Sequence, residues 1–283
     1  MSASHACSVP TNRLLDKYYL NKKMSYFAKD RLKGKVAIVT ASTDGIGFGI
    51  AERLAREGAS VIISSRKQKN VDEAVKKLKS EGLEVVGIVC HVGKAEDRTK
   101  LFDLAVSKYG GLDILVSNAA VNPTMSAVLD TPEASWDKIF EINVKAAYLL
   151  AQEALPHLRN RGKGKIIFVT SVGAYHPNQT FQLLGAYCVS KTALLGLIKA
   201  AAVQLASDNI QVNGIAPGVV PTKFAGAITT DEFARNESLS LIPMHKFGTP
   251  QDMGATAAFL ASNDSDYMTG ETMTVAGGMP SRL

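Results

Sequence analysis

Cysteine is scarce in this chain and forms no pattern. Cys7, Cys90 and Cys188 are three in 283 residues, an odd set without Cys-x-x-Cys spacing. A disulfide framework and a cysteine-held zinc site are therefore not expected, no metal is implied, and a reducing intracellular compartment fits. Cys188 adjoins Tyr187 and invites a reading as a nucleophile; a small apolar thiol packing against its neighbours is the favoured alternative. Uninterrupted apolar runs are missing too. Each is broken by a lysine or a polar residue, as Lys199 breaks the stretch after Leu194. That falls short of the roughly 20 residues that cross a bilayer, so no membrane span is expected.

An excess of positive over negative charge is also lacking over most of the chain, although the formal net charge is +6. Residues 1–33 hold seven bases (Arg13, Lys17, Lys22, Lys23, Lys29, Arg31, Lys33) and two acids (Asp16, Asp30), so +5 of the +6 lies in this leader. The remaining body is nearly neutral. A basic tail of this kind is expected to be solvated, and no nucleic-acid partner is implied. The leader shows neither helical nor strand periodicity and no apolar core of a secretory signal.

What is present begins at Lys35. Short runs rich in β-branched residues at 35–40, 60–65, 84–90, 112–117, 165–171, 210–216 and 271–277 read as seven strands. They are nearly continuous in apolar character rather than alternating, which suggests strands covered on both faces. Helical segments fall between them near 46–57, 70–81, 95–109, 133–159, 187–207 and 250–262. Such alternation predicts an α/β fold in one domain, 34–283: a Rossmann-type doubly wound parallel sheet of seven strands with helices on both faces. Ligands then sit beyond the carboxyl ends of the strands. The irregular stretch 219–248, late in the chain, is a candidate lid.

The first strand runs into Thr40-Ala41-Ser42-Thr43-Asp44-Gly45-Ile46-Gly47 and then a helix. Glycines in such a turn let backbone N–H groups approach a pyrophosphate at the helix N-terminus. The full GxGxxG fingerprint is not met, because Ile50 stands at its last position. Further along come Asn118-Ala119 after the fourth strand and Tyr187-x-x-x-Lys191 on a later helix. Together these resemble the short-chain dehydrogenase/reductase family. That family usually has TGxxxGxG, and Ala41 stands where its first glycine would be. A tolerated small-residue variant is the expected reading.

The resemblance implies a nicotinamide cofactor. Relatives that prefer NAD place an acid after the second strand, whereas this chain has Ser64-Ser65-Arg66-Lys67. Serine removes the repulsion of a 2′-phosphate, and the Arg66 guanidinium can bind one through paired donors, so NADP(H) is expected. A merely solvated turn at Arg66 and Lys67 is the alternative. His91 and Val92 follow the third strand, where the family commonly shows an aspartate near the adenine. By the same resemblance Thr40, Ser42, Thr43, Gly45, Ile46, Gly47, Ser65, Asn118, Pro217, Gly218, Val220 and Thr222 shape the cofactor site.

Tyr187 and Lys191, four apart, share a helix face. Carbonyl reduction needs a proton donor to the carbonyl oxygen as hydride reaches the carbon. A free phenol, with a pKa of about 10, is a slow acid, and a neighbouring ammonium is expected to favour its phenolate. The resemblance assigns Ser171 to the substrate oxygen, Asn143 to a proton relay, and Lys191 also to the nicotinamide ribose. Ser171 and Tyr187 are 16 positions apart, about three more than the family typically shows. The excess falls in 176–186, bordering the substrate. His176 there is an acid–base candidate, with a surface position as the alternative.

The chain ends Ser281-Arg282-Leu283, similar to the tripeptide read by the peroxisomal import receptor. The segments TASTDGIGF, SSRKQ, VCHVGKAEDR, SNAAVNP, SKTALLGL and PSRL resemble one branch of the family, the peroxisomal NADPH-dependent carbonyl and retinal reductases. That resemblance covers about 33–283. It implies a homotetramer, transfer of the pro-S hydride, and carbonyl substrates such as aromatic ketones, α-dicarbonyls and retinaldehyde. A mitochondrial presequence in the leader is an alternative that Asp16 and Asp30 oppose, and a cytoplasmic location is another. Competing functions are oxidation of a secondary alcohol such as a steroid, and a nucleotide-sensing scaffold without turnover.

Overall fold

The computed structural model describes residues 30–176, 182–223, 225–226 and 231–281. Most of the leader, part of the 176–186 segment, and Arg282 with Leu283 of the terminal tripeptide lie outside the described residues.

Seven strands form one parallel sheet: β1 (Val36–Val39), β2 (Ser60–Ser65), β3 (Val85–Val89), β4 (Ile114–Ser117), β5 (Gly164–Val169), β6 (Ile210–Pro217) and β7 (Thr272–Val275). Their spatial order is β3-β2-β1-β4-β5-β6-β7. Alternate residues of each strand point to opposite faces, and both faces are buried. From β1, Val36 and Ile38 enter the core shared with α3 (Ala95–Tyr109), α5 (Ala146–Asn160) and α6 (Gly185–Leu205). Ala37 and Val39 enter the core shared with α1 (Gly45–Arg56), α2 (Gln68–Ser80) and α8 (Pro250–Ala261). This double cover is why the strands read as continuous apolar runs. The chain order reverses across β1, which has β2 on one side and β4 on the other, and a crevice opens at the carboxyl ends there.

Three features differ from the sequence expectation or extend it. The single helix expected over 133–159 is two helices, α4 (Glu133–Phe140) and α5, joined by a π-helical turn at Glu141–Lys145. Within the irregular stretch 219–248 a helix forms, α7 (Glu232–Ser240). It buries only Ser238, so it leaves no apolar period to read. Its start is set by Asp231, whose carboxylate accepts from the Ala234 N–H at 2.9 Å. Finally, Gly185–Asp208 is long and apolar enough, by length and composition, to cross a membrane. Here Leu194, Ile198, Ala202 and Leu205 pack on the sheet, so the hydropathy serves a core helix.

The end of the leader is joined to the domain. Leu32 is 1% exposed within the core of α1 and α8. Arg31 grips the Glu57 carboxylate with two bonds (2.9 and 2.7 Å) and reaches Asp264 at 2.7 Å.

Candidate active site

The phosphate loop is braced by two buried hydroxyls behind it and by Asn118 at the edge of the cleft. The fully buried Thr40 hydroxyl accepts from the backbone N–H groups of Asn118 and Ala119 (3.0 and 3.1 Å). The Ser42 hydroxyl donates to the Val39 carbonyl at 2.5 Å and accepts from Ser64 N–H at 3.1 Å. Asn118 closes the arrangement, its amide donating to the carbonyls of Thr40 and Ala41, both at 3.0 Å. Gly47 is the residue that permits this closeness. A Cβ there would lie 2.4 Å from the Ala41 carbonyl oxygen and 2.5 Å from Asn118 Nδ2. Side chains are thus kept out of a backbone cradle at the N-terminus of α1, as a diphosphate requires.

Ala41 occupies the left-handed region, with φ of 50°. The residue that departs from the family pattern is therefore strained, beyond being a small replacement for glycine. An alanine pays about 1–2 kcal/mol in that region, and glycine gives back about 0.5–1 kcal/mol through its freer unfolded chain. Ala41→Gly is expected to raise stability by about 0.5–1 kcal/mol, measured by denaturant unfolding.

Beyond the loop lies a cleft of about 610 Å³. It gathers Gly45, Ile46, Gly47, Arg66, Asn118, Ser171, Tyr187, Lys191, Pro217, Gly218, Val220 and Thr222 from the expected set. A smaller hollow of about 180 Å³ adjoins it, with Thr43, Ser65, Arg66, His91 and Val92 in its wall. His91 is fixed at the carboxyl end of β3. Its backbone N–H donates to the Asp97 carboxylate at 2.8 Å, and its Nδ1 accepts from Gly93 N–H at 3.2 Å. Thr40, Ser42, Lys67 and Asn143 line neither space. Lining residues not anticipated from the sequence include Asp44, Asn70, Asn122, Met125, Leu184 and Lys223. Met125 and Leu184 come from two segments tied by Ser126 N–H to the Leu183 carbonyl at 2.9 Å, a pairing with no local sequence signal.

Tyr187 and Lys191 lie side by side on α6, both buried. The Ser171 side chain neighbours the Tyr187 hydroxyl in the cleft wall. Ser171 leaves the end of β5 and is held by the Gly173 N–H at 3.1 Å. Lys191 Nζ donates to the Val169 carbonyl at 2.7 Å and sits 5.6 Å from the centre of the Tyr187 ring. Burial dominates both groups. It pushes the Tyr187 phenol well above its usual range, Cys188 nearby adds to this, and the neighbouring Ser171 hydroxyl acts in the other direction. Burial also pushes Lys191 down to about 7. Desolvation thus disfavours the charged form of both groups, the phenolate and the ammonium alike.

Asn143 lies in the π turn, and its side chain is fully used. Its Oδ1 accepts from Val121 N–H at 2.8 Å, and its Nδ2 donates to the Val121 carbonyl and to Ser190 Oγ, both at 3.0 Å. Ser190 in turn donates to the Tyr187 carbonyl at 2.7 Å. The asparagine therefore fixes the segment after β4 to the catalytic helix. Cys188 is buried and its thiol is pushed up to about 11 by burial, which suits a packing residue. His176 is exposed.

The cradle, the reversal of strand order and the buried Ser171–Tyr187–Lys191 group form one continuous site. A family model described as Enoyl-(Acyl carrier protein) reductase matches residues 40–280. The rabbit (Oryctolagus cuniculus) protein named Dehydrogenase/reductase SDR family member 4 is 51% identical over 255 residues, covering 90% of this chain and 97% of the relative. The chain belongs to the short-chain dehydrogenase/reductase family. Tropinone reductase-like 3 of Erythroxylum coca is 54% identical over 253 residues, with 89% and 96% of the two chains covered. Among solved structures, the Pseudomonas aeruginosa RhlG/NADP active-site complex superposes with a TM-score of 0.82 at 31% identity, over 88% of this chain and 98% of that one. A short-chain type dehydrogenase/reductase of Mycobacterium marinum gives 0.82 at 30% identity, over 88% and 97%. The protein is thus a short-chain oxidoreductase of a family that uses a nicotinamide cofactor.

Proposed function

We propose that this enzyme uses NADPH to reduce apolar ketones and aldehydes, such as aromatic ketones, α-dicarbonyls and retinaldehyde-like compounds, to alcohols. The observation that carries the reading is the buried group Ser171, Tyr187 and Lys191, which lines the same cleft as Arg66. Ala120, Met125, Leu184 and Val219 give the part of the cleft near Tyr187 an apolar wall, which favours an apolar substrate over a charged one. The names of the rabbit and coca relatives, one a dehydrogenase/reductase and the other a reductase, agree with this class.

When bound, the reduced nicotinamide supplies a hydride. The protein's own part is to place and protonate the oxygen. Ser171 donates a hydrogen bond to the carbonyl oxygen, and Tyr187 gives that oxygen its proton as negative charge develops there. The phenolate left behind is stabilised by a protonated Lys191, and a proton from solvent restores the phenol. Asn143 and Ser190 keep the helix in place during these steps. Transfer of the pro-S hydride and a homotetrameric assembly are part of the proposal through the family branch. So is a peroxisomal location, through Ser281-Arg282-Leu283.

NADPH rather than NADH is read from Ser65 and Arg66, where no acid opposes a 2′-phosphate. Arg66→Ala is expected to raise the Kd for NADPH by roughly 30-fold while that for NADH moves less than about threefold. Fluorescence titration of the two cofactors checks this, and equal losses would remove Arg66 from the role. Loss of NADPH absorbance across a panel of carbonyl compounds tests the substrate class; no turnover with any apolar carbonyl would overturn it.

A further inference from the structure

The phosphate-binding end of the cleft contains an acid. Asp44 caps α1 by accepting from Gly45 N–H at 2.8 Å, and its carboxylate lies beside both the large cleft and the smaller hollow, as Arg66 does. An anion there opposes a phosphate-rich ligand and also consumes part of the helix terminus that would receive one. The opposite wall provides a cation. Lys223 Nζ lies 2.8 Å from Asp44 Oδ2. The two walls meet at this point through a second contact, because a Cβ on Gly45 would lie 2.9 Å from Thr222 Cγ2. The Asp44 carboxyl is held below its usual range chiefly by Lys223, with Lys77 adding to the effect.

We propose that Lys223 is an affinity residue for the cofactor: it neutralises Asp44 across the cleft mouth and leaves Arg66 unopposed toward the phosphates. The inference rests on the dinucleotide reading of this cleft. Both side chains are largely exposed, so the pair adds little to folding. Its consequence is for a third, incoming charge. NADPH, with one phosphate more than NADH, feels an uncompensated Asp44 more strongly.

The test is cofactor titration by fluorescence for the full chain and its Lys223→Ala, Asp44→Asn and doubly substituted forms. Asparagine keeps the helix cap while removing the charge. Lys223→Ala is expected to weaken NADPH roughly tenfold and NADH by less, with both losses shrinking as salt rises. In the Asp44→Asn background the same lysine substitution is expected to cost less than about twofold, because no carboxylate remains to be neutralised. No loss in Lys223→Ala overturns the proposal. So does an equal loss in both backgrounds, which would make Lys223 a direct phosphate contact. If the unsubstituted protein binds neither cofactor, the dinucleotide reading itself fails, and that result is visible before any variant is compared.

Discussion

Tyr187→Phe is expected to bind NADPH as tightly as the unsubstituted enzyme and to turn over at least about a thousandfold more slowly. The phenylalanine ring fills the same buried space, so the packing of Val172 and Val219 around it is kept. What disappears is the phenol hydroxyl that lines the cleft beside Ser171, and with it the proposed proton for the substrate oxygen. Lys191 cannot replace it, because its Nζ is directed to the Val169 carbonyl at 2.7 Å. Single-turnover NADPH oxidation beside a binding titration separates the two effects. Retained turnover would refute the assignment, and loss of both binding and turnover would point to a structural role. A nucleotide-sensing scaffold would show binding without turnover before any substitution.

Lys191→Met carries the second large effect, on catalysis and on the pH dependence of stability together. Removing the cation that holds the phenolate is expected to lower kcat by roughly 100-fold or more. The stability effect follows from the depressed lysine pKa. Burial places it near 7 in the folded protein, against 10.5 as its ordinary value. Well above pH 10.5 the amine is neutral in both states and adds no penalty. As pH falls from there toward 7 the unfolded chain takes up a proton that the folded one does not, and stability is lost. Below 7 both states are charged and the loss is complete, amounting to roughly 5 kcal/mol. The Tyr187 phenol, raised by burial, acts in the other direction only above its ordinary value of 10, where unfolding releases its proton first. Denaturant unfolding of the two proteins from pH 7 to 10 should therefore give a difference in stability that shrinks as pH rises. The methionine form is expected to be relatively more stable at pH 7, less about 1–3 kcal/mol for the Val169 carbonyl it leaves unbonded. A difference independent of pH would mean that Lys191 titrates normally.

These expectations separate what local sequence carries from what it does not. The strands were legible because a sheet covered on both faces needs apolar residues at every position, a demand written locally in runs such as 60–65. Tyr187 and Lys191 were legible because helical spacing alone puts them on one face. The π turn at Glu141–Lys145 was not: nothing in that pentapeptide marks it. It coincides with the bonds that Asn143 makes to Val121 and Ser190, 22 and 47 residues away in sequence. The same holds for Asp44 and Lys223, which no local pattern pairs.

By itself, the amino-acid sequence determined the seven strands and most of the helices between them, the glycine turn after β1, the absence of an acid after β2, and the residue types of the proposed chemistry. Each follows from a short-range rule of periodicity, backbone freedom or charge. Tertiary structure alone decided the protonation balance of Tyr187 and Lys191, the strained backbone at Ala41 and the charge compensation of Asp44. Desolvation and contact between distant segments come into being only when the chain has closed around them.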